Sequence, residues 1–261
     1  MTHILVTNDD GVSAPGLFAL VQALRSLGKV SVLAPDRNWS ASGHVKTLHR
    51  PLRIKEVHLE DGSTALTSDG APSDCVALSV LGILPELDLV VSGINPNANV
   101  GHDVTYSGTV TAAMEAVIWG IPGLAVSLDS PENHPGALDY KPAAKLALQV
   151  AETALKNKFD RDIVLNLNVP YIPQEDIKGL QVTRQGQRVY QDELITRSDP
   201  RGVPYYWIGG DPPTGVPDQG TDIGALKEGY ASLTPLKLDL TAVEYIEPLG
   251  KLFSGAILRT E

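Results

Sequence analysis

The first residues able to do chemistry are two adjacent carboxylates, Asp9 and Asp10, followed by Gly11. Two carboxylates brought to one point repel unless a cation lies between them. The glycine eases a turn in which both can converge. Two further oxygen-rich stretches follow, Asp36-Arg37-Asn38-Trp39-Ser40 and Ser92-Gly93-Ile94-Asn95. The Ser40 hydroxyl and the Asn95 amide would complete an all-oxygen donor set with the acid pair. Such a set suits one hard divalent cation, Mg²⁺ or Mn²⁺, over zinc or copper, and leaves room for water and a substrate oxygen. Taken singly, the acid pair also fits turn or N-cap chemistry, Ser40 a solvated loop hydroxyl and Asn95 a turn residue.

A fourth loop, residues 101–109, runs into a helix that begins near Thr109. Free N–H groups at a helix start, the helix dipole and an unobstructed glycine make an anion site into which a phosphate fits. Capping of the helix by Ser107 or Thr109 is the alternative. There is no GxxxxGK[ST] cradle and no G-x-S-x-G elbow, and the six histidines have no metal-ligand spacing. Trp39 and the Tyr205–Trp207 cluster could stack on a flat ring or simply pack.

Positioning these loops requires strands that end just before them. His3 to Thr7 and Val30 to Ala34 are short apolar runs, and between them Leu17, Leu20, Val21 and Leu24 mark a helix from Pro15 towards a cap at Gly28. This is a βαβ unit. Similar signals predict helices from Pro72, around Val110 to Val117 and from Lys141 to Lys156, with strands at Leu87–Val91, Leu124–Leu128 and Ile163–Leu167. The alternation predicts an α/β fold: a Rossmann-like, mostly parallel sheet flanked by helices, with ligands at the carboxyl ends of the strands. After about Val182 the pattern changes, and the Gly- and Pro-rich stretch from Ser198 to Asp222 reads as an extended arm or hairpin. The expected layout is a single domain over 1–261, with a core over about 1–181 and, over about 182–261, a C-terminal region that either folds back as a lid on its own subunit or reaches a neighbouring subunit as an oligomerisation arm.

Composition narrows the partners. Of 261 residues, 43% are hydrophobic and 20% charged, as in ordinary globular proteins. Thirty-one acidic against 21 basic side chains leave a net charge of −10, which argues against long nucleic acid as a partner. The one cysteine, Cys75, excludes an internal disulfide and fits a reducing, cytoplasmic setting. Charges interrupt every long apolar segment, so neither export nor a membrane span is expected.

The segments ILVTNDDGVSAPG (4–16), APDRNWSASG (34–43), SDGAPSDCV (68–76), VVSGINPNANVGHDVTYSGTVTAAMEA (90–116) and GYASLTPLKLDLT (229–241) together resemble the SurE family of stationary-phase survival proteins, metal-dependent nucleoside-monophosphate phosphatases. The resemblance implies Asp9, Asp10, Ser40 and Asn95 as ligands of one divalent cation, with Asp9 and Asp10 catalytic. It places Asn99, Ser107, Gly108 and Thr109 near the substrate phosphate. It further implies 5′-nucleotidase activity, in some members extending to 3′-nucleotides and short polyphosphate, and homodimers or homotetramers that exchange the arm. Attack by metal-bound water is the expected mechanism, with His102 and Asp103 as candidates to protonate the leaving oxygen. Two positions depart from the pattern: Asn97 and Ala41 stand where glycines are expected.

The strongest rival is a non-catalytic module, either a Mg²⁺-dependent phospho-receiver or a nucleotide-binding regulator. The receiver reading lacks an acceptor Asp after the third strand and a Lys after the fifth. A haloacid-dehalogenase-type phosphatase would need acids two residues apart, and a nucleoside hydrolase a further Asp upstream of the pair.

Overall fold

The computed structural model describes residues 2–131, 134–157 and 162–254; the last part of the expected arm region, 255–261, lies outside them. The strands are β1 (His3–Thr7), β2 (Lys29–Pro35), β3 (Ile54–His58), β4 (Thr64–Ser68), β5 (Leu89–Asn95), β6 (Gly123–Asp129), β7 (Ile163–Pro170), β8 (Leu180–Val182), β9 (Gln187–Ser198), β10 (Pro204–Val216) and β11 (Ala231–Lys237). The helices are α1 (Pro15–Leu24), α2 (Pro72–Leu78), α3 (Gly108–Ile118), α4 (Lys141–Lys156), α5 (Asp222–Lys227) and α6 (Ile246–Phe253). Among the described residues, nine strands form one sheet in the order β3-β4-β2-β1-β5-β6-β7-β11-β8. The pairs β4–β2, β2–β1, β1–β5, β5–β6 and β6–β7 are parallel, which is the predicted fold class.

Strand periodicity builds the layers. On β1, Ile4 and Val6 pack with Leu17, Leu20 and Leu24 of α1 and with Ala143 and Ala147 of α4. Leu5, pointing the other way, packs with Cys75 and Val76 of α2 and Ala112 and Ala116 of α3. Both faces are covered, so β1 is buried along its whole length. No helix of the described residues is long and apolar enough to cross a membrane.

Several elements differ from the sequence expectation. The first helix stops at Leu24, short of Gly28. The fifth strand begins two residues later than predicted, at Leu89, and runs on to Asn95 through a register irregularity against β6. Only glycine fits inside that stretch: a Cβ at Gly93 would lie 2.3 Å from the carbonyl oxygen of Val126. The hairpin starts earlier than Ser198, since β9 and β10 pair over residues 187–216. The chain then returns to the core, where β11 inserts between β7 and β8. Pro235 reads against a strand, yet β8 pairs only with Ala231 to Leu233, so no neighbour needs an N–H at residue 235.

The hairpin root is tied to the loop before α3 by one buried carboxylate. Asp222, fully inaccessible, accepts hydrogen bonds from the backbone N–H groups of Gly101 (2.9 Å), Gly186 (2.7 Å) and Ile223 (2.8 Å). Replacing it strands buried donors that water cannot reach. Asp222→Ala should therefore cost at least about 2 kcal/mol of stability in urea unfolding, with hydrogen-exchange protection lost first at Gly101 and Gly186.

Candidate functional site

The topology reverses direction at β1, with β2 on one side and β5 on the other, and a crevice opens there at the carboxyl edge of the sheet. β1 delivers Asp9 and Asp10, the turn after β2 delivers Ser40, and β5 ends on Asn95. All four line one cleft of about 610 Å³, together with Asn99 and Ser107. The convergence expected of the acid pair, the hydroxyl and the amide is therefore present in the fold.

Hydrogen bonds hold the loops in register. The Asn8 side chain closes a ring with Gly11, donating to its carbonyl (2.9 Å) and accepting from its N–H (3.1 Å). The second loop is pinned to the first, since the N–H of Trp39 donates to the carbonyl of Asp9 (2.7 Å). Asn38, part of the oxygen-rich stretch but given no role of its own in the sequence reading, donates to Asp10 Oδ1 (3.3 Å) and accepts from the N–H of Ser40 (2.7 Å), linking two candidate ligands. Further along, Glu115 of α3 receives His44 (2.9 Å), Lys46 (3.3 Å) and the Trp119 indole (2.8 Å). Burial alone would raise its pKa, but these three partners hold the carboxyl down to about 2.

The acid pair is electrostatically costly as it stands. Asp9 is 3% exposed, and burial raises its pKa against the opposing pull of the Thr109 hydroxyl and the Gly108 and Thr109 amides. Asp10 is pushed up to about 7, first by burial and then by the charge of Asp9. Gly108 permits this closeness, because a Cβ there would sit 2.7 Å from the Cβ of Asp9. The side-chain bonds from Thr109 (2.5 Å) and Asn38 both use Oδ1, of Asp9 and Asp10 respectively. Among the described residues no three His, Cys, Asp or Glu side chains form a metal cluster, so a cation here would rest on two carboxylates completed by neutral oxygens. The donor set fits a hard divalent ion.

The expected phosphate residues divide. Asn99 and Ser107 line the cleft, whereas Gly108 and Thr109 sit behind Asp9. Ser107 also caps α3, accepting from the N–H of Val110 (3.1 Å). Asn99 is held in a buried network, donating its side-chain Nδ2 to Ser127 (2.8 Å) and its backbone N–H to Asn168 (2.7 Å). Of the two proton-donor candidates, His102 is exposed outside the cleft lining. Asp103 is engaged by Arg188 (2.7 Å) and by the Tyr190 hydroxyl (2.7 Å), which makes it an anchor for the hairpin. Sequence reading missed Asp129 and Arg188, which also line the cleft. Burial raises the Asp129 carboxyl, with Arg188 opposing. Of the two glycine departures, Ala41 takes the left-handed conformation (φ 57°) and Asn97 does not.

A doubly wound sheet with an oxygen-rich acidic cleft beside a helix N-terminus defines the class as an α/β protein built to hold a small, charged ligand. Comparison with known proteins gives the family. The family model described as "Survival protein SurE" matches residues 4–192. A curated relative from Herpetosiphon aurantiacus, named 5′-nucleotidase SurE, is 52% identical over 95% of this chain and 97% of its own length. Another of the same name from Chloroflexus aggregans is 51% identical, covering 95% and 98%. The crystal structure of the SurE protein from Aquifex aeolicus superposes with a TM-score of 0.81 at 40% identity, covering 96% of this chain and 99% of that one. The chain belongs to the SurE family.

The Thr109–Asp9 bond yields a test with a defined sign. It favours the charged form of Asp9, whose folded pKa burial raises, so the bond matters most where Asp9 is ionised. Thr109→Val should destabilise the metal-free protein by about 1–3 kcal/mol at high pH. That loss should shrink as the pH falls and Asp9 takes up a proton, as read by urea unfolding across the pH range.

Proposed function

We propose that this protein is a divalent-metal-dependent phosphatase that hydrolyses nucleoside 5′-monophosphates to nucleoside and inorganic phosphate. The observation that carries the reading is the convergence of Asp9, Asp10, Ser40 and Asn95 in one cleft at the switch point of the sheet. The names of the relatives support the substrate class. A non-catalytic receiver is not favoured, because those relatives are named as enzymes and match over nearly the whole chain.

In this reading Asp9, Asp10, Ser40 and Asn95 would hold one Mg²⁺ or Mn²⁺. The bound cation would supply Lewis acidity, offsetting charge on the phosphate and making water a better nucleophile at neutral pH. The chain's own residues prepare the site. Thr109 and Asn38 fix the two carboxylates through Oδ1, and the Asn95 side chain is oriented by donating Nδ2 to the carbonyl of Asn97 (2.6 Å). Asn99 and Ser107 border the space a phosphate would enter, and Gly108 and Thr109 begin the helix whose positive end faces it. Arg188 is the cation among the cleft-lining residues and is already paired with Asp103, so the acidic cleft has little other positive charge to offer an anion.

We further infer self-association, as a homodimer or homotetramer, through the arm. Tyr206 (60% exposed) and Ile208 (83%) on β10 share one face of the hairpin with Leu194, the partner of Ile208, while Trp207 (63%) points to the other face, and each is left exposed among the described residues. A cytoplasmic setting accords with the single buried thiol of Cys75.

Two outcomes are expected. Chelation should abolish phosphate release from AMP and Mn²⁺ should restore it, while Asp9→Asn and Asp10→Asn should each lower the rate by about a hundredfold or more; wild-type turnover in either variant refutes the site. In sedimentation velocity at micromolar concentration the chain should run as a dimer or larger, and a monomer would contradict the arm assignment.

A further inference from the structure

The arm does more than project from the core. Where β10 passes the cleft, its pairing with β9 breaks: Asp211 lies opposite Gln191 and Thr214 opposite Val189, so Pro212 and Pro213 together face only Tyr190. Prolines cannot donate to a ladder, and a bulge of this kind pushes its residues out of the sheet plane. Both prolines line the cleft. Tyr106 lines it too, 60% exposed and one residue before the Ser107 cap of α3. Arg188, paired with Asp103, ties this stretch of hairpin to the turn that carries Tyr106.

We propose that Tyr106 and the Pro212–Pro213 bulge form the wall that receives the nucleoside of the substrate, so that the arm takes part in substrate selection. The inference rests on the nucleotide-phosphatase reading above. A phosphate held beside Asp9 and Ser107 leaves its ester group to extend along the cleft, and the flat, apolar surfaces that the hairpin and the turn before α3 present there are the Tyr106 phenol ring and the two pyrrolidine rings of Pro212 and Pro213, with Pro96 the other proline in the lining. Such surfaces accept the face of a base without reading its edge, so the wall selects for a nucleoside over a bare sugar and discriminates weakly among bases.

The test compares kcat/KM for AMP and for ribose 5-phosphate, which lacks the base, using the full-length chain with Mn²⁺. The wild type should prefer AMP. In Tyr106→Ala, and separately in a variant with Pro212 deleted and Pro213 replaced by Ala, which leaves one residue opposite Tyr190 and so restores regular pairing, the AMP to ribose 5-phosphate ratio should fall about tenfold, chiefly through KM for AMP. Tyr106→Phe, which keeps the ring, should restore the ratio. A wild type without preference, or ratios unchanged in both variants, overturns the wall. A Tyr106→Ala protein inactive on both substrates assigns that residue to the phosphate site and equally overturns it. A wild type inactive on both substrates instead refutes the phosphatase reading itself.

Discussion

Repulsion between two neighbouring carboxylates at the buried edge of a sheet is the constraint around which this protein is arranged. Asp9 and Asp10 are brought into low dielectric with no cationic side chain among the described residues set between them, and burial raises both pKa values, that of Asp10 further through the charge of Asp9. The surroundings moderate the cost without removing it. Thr109 and the start of α3 attend to Asp9, Asn38 attends to Asp10, and Gly108 gives up its side chain so that helix and acid can approach. A cation held there, as the proposed function requires, would replace a repulsion with two attractions, so it would relieve the same arrangement that raises both pKa values.

Much of this was legible in the sequence because it is local. The run from His3 to Thr7, the acid pair and Gly11 are contiguous, and the helical spacing from Leu17 to Leu24 identifies a crossover. A parallel sheet then brings the ends of its strands together with no further information. Asn95 could be selected although the boundary of β5 was misplaced, because the bulge at Gly93 lengthens the strand without moving its end away from the cleft. Ala41, where the resemblance leads one to expect glycine, takes the left-handed conformation that favours glycine.

What stayed hidden is long-range. Asp222 meets Gly101 across 121 positions and Tyr190 meets Asp103 across 87, and no periodicity marks such pairs. Likewise β11 has a proline and a mixed pattern, and its identity depends on the edge that β7 presents to it. The Gly/Pro-rich composition announced an arm but not its register, so the opposition of two prolines to one tyrosine appears only once the strands are paired.

The late insertion of β11 also has a consequence for biosynthesis. The antiparallel partner of β7 is encoded more than sixty residues downstream, beyond the whole hairpin. While the chain emerges from the ribosome, β7 must wait with one edge unsatisfied until residues 231–237 are available. A ribosome stalled within the arm would therefore expose a hydrophobic strand edge primed for intermolecular pairing. Completion of the sheet thus checks that the chain has been translated past its arm.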